Sequence, residues 1–234
     1  MEHIDKTYVI NLERSYDRRE HINKELKRFN INYSIFNAID GNTLDEPKID
    51  LMNIDEFNIN KYELGLVKTF KLVINDAIEN NYENIIVFED DILLESEFNE
   101  KFEKYFKQLP PDWFICQFSV AIFRGPATST DSPHRYVAEY INNNIARIER
   151  SYGTFALLIN KRSFNYILEC INDENQPLDV LLINLQEKHK KSFCFYPGLV
   201  RPIPIGMSTI SGQSYDISWA NYIYPWELRE VMTI

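Results

Sequence analysis

The sequence predicts an α/β protein in which one mostly parallel sheet is flanked by helices within a single domain. Three observations predict it. Strand-like and helix-like patterns alternate over residues 1–120, the order that a parallel sheet with right-handed crossovers imposes. Two continuous apolar runs, Ile85–Phe88 and Phe155–Ile159, suit strands buried on both faces. The 234-residue chain carries no internal repeat and no linker-like stretch, and its 44% hydrophobic and 26% charged content suits one buried core.

Each element has a local reason. Thr7–Leu12 reads as the first strand. Ser15 is a candidate N-cap, and Ile22, Leu26 and Phe29 then trace one helical face at i, i+4 and i+7. Tyr33–Asn37 reads as a second strand ending in the Asp40-Gly41 turn signal, and residues 42–59 as a polar loop. Asn60 with Glu63 forms a capping box before an apolar face of Leu66, Val67, Phe70, Val73, Ile74 and Ala77, and Asn80-Asn81 ends that helix. A helix over Ser96–Gln108, closed by Pro110-Pro111, precedes a strand at Trp113–Phe118. Beyond Ser119 the composition shifts to Gly, Pro, Ser and Thr, with short strands expected at Tyr136–Tyr140 and Ile145–Glu149. Helices are expected at Ser163–Ile171 and Leu178–His189. The tail from Tyr196 to Gly212, with three prolines and three glycines, reads as an extended edge or active-site segment.

The formal net charge of −10 argues against a nucleic-acid partner, because phosphate backbones are held by clustered Lys and Arg. An acidic chain that binds a small anion needs a local basic cluster, a bridging cation, or both. Cys116, Cys170 and Cys194 are widely spaced, without CxxC or Cys/His ligand spacing; they read as free core thiols in a reducing compartment. No signal peptide opens the chain and no apolar run approaches the ~18 residues of a membrane span, so a cytoplasmic protein without a transmembrane segment is expected. His3, His21, His134 and His189 form no metal-binding pair, and GxSxG, Walker and GxGxxG patterns are missing. Metal plus arginine is left as the means of holding a phosphate.

Three places carry candidate chemistry. Glu89-Asp90-Asp91 closes the most apolar strand, at the carboxyl end where open sheets bind ligands. Carboxylates there suit Mg²⁺ or Mn²⁺, and they equally suit a solvated turn. The run Asn11-Leu12-Glu13-Arg14-Ser15-Tyr16-Asp17-Arg18-Arg19 follows the first strand at the same end. Cations in a first helical turn oppose the dipole, a penalty that a bound anion would reverse; surface pairing with Glu13, Asp17 or Glu20 is the plainer alternative. Asp179, after Gln176-Pro177-Leu178, is either a general base, a second metal contact or a dipole-favoured first-turn acid.

Taken in order, these segments resemble glycosyltransferase family 25, the family of lipooligosaccharide and collagen galactosyltransferases. The resemblance runs through INLERSYDRREHI (10–22), INYSIFNAIDG (31–41), YELG (62–65), IVFEDDI (86–92), LPPDWF (109–114), SYGTFALLINKRS (151–163), PLD (177–179) and PGLVRPIPIGMSTI (197–210). It implies a GT-A, Rossmann-like domain over 1–234, with a nucleotide-sugar-binding half (1–120) and an acceptor-side half (121–234). It also implies Mn²⁺ (or Mg²⁺) dependence and transfer of galactose or glucose from a UDP-hexose to a glycan or protein hydroxyl, with inversion as the working mechanism. By position, Asp91 and Asp90 match the metal motif, Asn11, Arg14, Arg18 and Asp90 the donor site, and Asp179 the late acid that would be catalytic.

Two departures stand against that pattern. Where the family reads a Ser-His pair after ELG, this chain has Thr69-Phe70, and its C-terminal tail holds no histidine. They raise a second expectation, a catalytically degenerate protein of the same fold that binds nucleotide or sugar. Phe123, Tyr136, Trp219 and Trp226 are aromatic candidates for stacking on an acceptor sugar, or they simply pack.

Overall fold

Thr7 through Asn11 are buried without a break, which places the first strand, β1 (Lys6–Asn11), inside the sheet and not at its edge. The computed structural model describes residues 1–45, 59–119, 137–203 and 205. In it β1 pairs in parallel with β2 (Ser34–Asn37) on one side and β3 (Asn84–Glu89) on the other. The chain continues through β4 (Ile92–Leu94), β5 (Ile115–Gln117), β6 (Val137–Tyr140), β7 (Ile145–Ile148), β8 (Ala156–Asn160), β9 (Ser192–Phe195) and β10 (Val200–Pro202). Eight of these form one sheet in the order β2-β1-β3-β8-β5-β9-β7-β6, while β10 and β4 make a separate antiparallel ribbon. The pairs β1–β2, β1–β3 and β5–β9 are parallel; β3–β8, β5–β8, β7–β9 and β6–β7 are antiparallel. Only β7 and β8 therefore run against the other six, and the sheet is mixed but mostly of one direction.

Helices cover both faces. Side chains alternate along a strand, so Val9 enters one apolar cluster with Ile22, Leu26, Phe88, Phe98 and Phe102. Tyr8 and Ile10 enter another with Val67, Phe70, Val87, Leu157 and Leu181. The first face is covered by α1 (Tyr16–Arg28) and α3 (Phe98–Phe106), the second by α2 (Lys61–Glu79), α4 (Phe164–Cys170) and α5 (Leu178–His189). The expected capping box of α2 is formed: the Asn60 side chain accepts from the Tyr62 and Glu63 amides, and Glu63 accepts from the Asn60 amide.

Some expectations are corrected. Ser15 precedes α1, but its hydroxyl makes no cap bond. The buried run at Phe155–Ile159 is β8, wedged antiparallel between β3 and β5. Strand β9 and the β4–β10 ribbon were not anticipated; β10 lies within the tail read as an extended segment. Phe123, Tyr136, Trp219 and Trp226 lie outside the described residues. Among the described residues, no helix is long and apolar enough to cross a membrane, and all three cysteines are free thiols.

Candidate active site

Because β1 and β3 are parallel neighbours, with Ile10 in register with Glu89, the chain leaves both strands at one end. Asn11 therefore comes beside Asp90. Its amide nitrogen donates to Asp90 Oδ2 at 2.6 Å and to the Ser15 carbonyl at 3.3 Å, while Arg19 Nε donates to its Oδ1 at 2.7 Å. The buried amide is thus fixed in orientation, and it fixes the Asp90 carboxylate in turn. Arg18, in the first turn of α1, directs Nη1 between the two acids, 3.1 Å from Asp90 Oδ1 and 2.7 Å from Asp91 Oδ2. The Asp91 carbonyl accepts from the Ile203 amide at 2.7 Å, which ties the acids to the end of β10.

Three consecutive acids face few cations, and their proton affinities respond. Burial, then repulsion from Asp91 and Asp90, pushes Glu89 up to about 8. Burial also raises Asp91, to about 6, against the attraction of Arg18. Among the described residues no three His, Cys, Asp or Glu side chains converge into a ready-made metal cage. Asp90 and Asp91 nevertheless fit a hard divalent ion: both offer carboxylate oxygens, and one cationic nitrogen already sits between them.

Beside the acids lies an open cleft lined by Ile10, Leu12, Ala38, Ile39, Tyr62 and Leu66. Arg18, Glu89 and Asp90 also line it. It is an apolar slot with a charged end.

Asp179 reaches the acids indirectly. It lies in the first turn of α5 and accepts from the Gly153 amide at 3.4 Å and the Val180 amide at 2.9 Å. The next residue, Thr154, donates its hydroxyl to Glu89 Oε1 at 3.2 Å. Burial raises Asp179 above its ordinary value despite those amides. The segment 151–154 is itself pinned by a buried network: Ser151 Oγ donates to Gln117 Oε1 at 2.6 Å, and the Ser151 amide donates to Gln186 Oε1 at 2.7 Å.

Of the residues singled out in the sequence, Asn11, Arg18, Asp90 and Asp91 come together in one hydrogen-bonded cluster. Arg14 does not join it; Nε and Nη2 grip Asp40 at 2.6 and 3.2 Å. Arg19, named in the same run but given no role, is the residue that orients Asn11; sequence reasoning missed Tyr62, whose place beside the slot is set by the start of α2. Phe70, standing where the family has histidine, is 1% exposed in the core and does not line the slot.

The model for glycosyltransferase family 25 (LPS biosynthesis protein) matches residues 4–182. The chain belongs to this family. A protein assigned as a glycosyltransferase in Acanthamoeba polyphaga mimivirus is 26% identical over 169 residues, which cover 70% of this chain and 52% of the relative. Procollagen galactosyltransferase 1-A of Xenopus laevis is 24% identical over 200 residues, 79% of this chain and 31% of that protein. The chain thus spans about half, or less, of the length of these two relatives. Among solved structures, a glycosyltransferase involved in glycosylation of the PBCV-1 major capsid aligns with a TM-score of 0.37 at 10% identity, over 79% of this chain and 66% of that one. A Drosophila galactosyltransferase in complex with manganese, UDP-Gal and xylobiose aligns with a TM-score of 0.33 at 10% identity, over 69% and 51%. The family, together with the mixed sheet and its flanking helices, makes this a GT-A-type fold.

Proposed function

We propose that this family 25 chain transfers a hexose, galactose or glucose, from a UDP-sugar to a glycan or protein hydroxyl, with inversion and with Mn²⁺ or Mg²⁺. The observation that carries the reading is the Arg18 guanidinium held between Asp90 and Asp91 at the charged end of an apolar slot. Such a slot suits a nucleoside, and its charged end a diphosphate bridged by a cation. Residues 1–120 would bind the donor, and the acceptor would enter from the side of residues 121–234. The three free cysteines suit a cytoplasmic setting.

Asp91 and Asp90 would hold the ion. When bound, it supplies Lewis-acid charge that stabilises the departing diphosphate. Asn11 keeps Asp90 aimed, and Arg18 adds positive charge where the leaving group's charge develops. Asp179 takes the acceptor's proton. The acceptor oxygen then bonds to the anomeric carbon as the bond to the β-phosphate oxygen breaks, and UDP leaves with the electron pair.

Donor turnover in Mn²⁺, in EDTA and in Asp91→Ala tests this. The chelator or the substitution should lower turnover by about 10³-fold. Undiminished activity in either overturns the mechanism, and tight UDP binding without turnover across a donor panel replaces it with a nucleotide-binding protein of the same fold.

A further inference from the structure

Helix α2 contains two residues that its own stability does not favour. Gly65 sits in the second turn, where glycine is disfavoured relative to alanine. Thr69, four residues on, is 0% exposed and lies among the apolar residues Leu66, Val67, Phe70 and Val73. Its hydroxyl donates back to the Gly65 carbonyl at 2.7 Å, a bond that bends or weakens helices and does not build them. Valine would fill the same volume without a polar group to satisfy.

Both exceptions meet at one residue outside the helix. The Ile39 amide donates to Thr69 Oγ1 at 2.9 Å. The Ile39 carbonyl lies 2.6 Å from where a Cβ on Gly65 would stand. Two residues further, a Cβ on Gly41 would meet the Lys61 carbonyl and Tyr62 Cα, each at 2.7 Å. The loop between β2 and Thr43 is therefore clamped to the first three turns of α2 by close backbone contacts at Gly41 and Gly65 that a side chain would push apart, by the Thr69 hydroxyl, and by the Tyr62 hydroxyl, which donates to Asn42 Oδ1 at 3.1 Å.

That loop and that helix are the facing walls of the slot. Ala38, Ile39 and Gly41 line it from one side, Tyr62 and Leu66 from the other. We infer that Thr69 is a positioning residue for nucleotide binding: through Ile39 it sets the width of the slot that receives the planar base of the donor. The inference rests on the donor reading above and adds to it the residue that fixes the base-binding wall. It also accounts for Thr69 at a buried helical position where packing alone calls for an aliphatic residue.

The test compares UDP with inorganic pyrophosphate, each with Mn²⁺, by titration calorimetry, alongside Tm. Pyrophosphate reports on the acid end alone. Thr69→Val, which leaves the Ile39 amide without its partner, should weaken UDP roughly 10-fold and leave pyrophosphate within about twofold. Thr69→Ser keeps the hydroxyl and should restore UDP binding to within about twofold of the parent. Gly65→Ala keeps the hydroxyl but pushes the Ile39 carbonyl away, so it should also weaken UDP selectively; it carries the test if the valine variant does not fold. Equal weakening of both ligands, or unchanged UDP affinity in both variants, overturns the inference while leaving the donor reading intact. A parent that binds pyrophosphate but not UDP removes the base slot and this inference with it, whereas a parent that binds neither refutes the donor reading as a whole.

Discussion

Asp91 and Asp179 are both carboxylates raised by burial, yet the fold answers their charge in opposite ways. Asp91 lies against a mobile type of group, the long Arg18 side chain, and next to two further acids. Asp179 is met by the amides of Gly153 and Val180, donors whose direction the backbone fixes. An arginine can swing aside or turn toward a phosphate when another cation takes its place between the acids. Backbone amides stay. The first arrangement suits ion exchange around a charged ligand, the second a single acid held in one orientation to accept a proton.

The sharpest way to break this contrast is Asp179→Asn. Asparagine keeps an acceptor for the Gly153 amide but cannot take a proton. With donor and acceptor saturating, kcat should fall by about 10²- to 10³-fold while KM for the donor stays within about twofold. Initial rates on the purified variant measure both. Unchanged kcat would return Asp179 to a first-turn acid that favours the dipole of α5, and the proton would have to go elsewhere.

The two regions were not equally legible in the sequence. Helix α2 and strands β1 and β3 are written locally, in a capping box, a 3.6-residue apolar period and uninterrupted apolar runs. Adjacency also made Asp90 and Asp91 visible, and parallel pairing of β1 with β3 then had to bring Asn11 to them. The second region depends on long-range pairing. Nothing local says that β8 runs antiparallel between β3 and β5, or that the four buried residues of β9 insert between β5 and β7. The path from Asp179 through Gly153 and Thr154 to Glu89 follows from that arrangement. The arginines fell between the two cases. Three occur within six positions, and only the point at which α1 begins, at Tyr16, sends Arg18 to the acids and Arg14 to Asp40.

Glu89 sharpens the acid side of the comparison without any assay of transfer. Its folded-state value of about 8 exceeds the ordinary 4.5, so the folded chain keeps a proton that the unfolded chain gives up. Below pH 4.5 both states hold the proton and no penalty exists; as pH rises from 4.5 toward 8 the folded state loses stability relative to the unfolded one. In EDTA, Glu89→Gln should therefore stabilise the chain by on the order of 1–3 kcal/mol at pH 7, with the gain vanishing near pH 4. Urea unfolding at the two pH values measures it. A gain that does not depend on pH would mean that packing, and not charge, drives it.

The smallest effect is expected at Arg14, the donor-site candidate that the fold turns toward Asp40. Its side chain is 46% exposed, and an exposed pair contributes only about 0–1 kcal/mol even when two nitrogens engage one carboxylate. Asp40 is meanwhile held independently, since it also accepts from the Asn42 amide at the turn beginning with Gly41. Arg14→Ala should thus change UDP affinity by less than about threefold and stability by no more than about 1 kcal/mol. Calorimetry and urea unfolding give both values. A tenfold loss of UDP affinity at unchanged stability would mean that Arg14 leaves Asp40 for the diphosphate, and the acid pair would then be answered by two exchangeable cations in place of one.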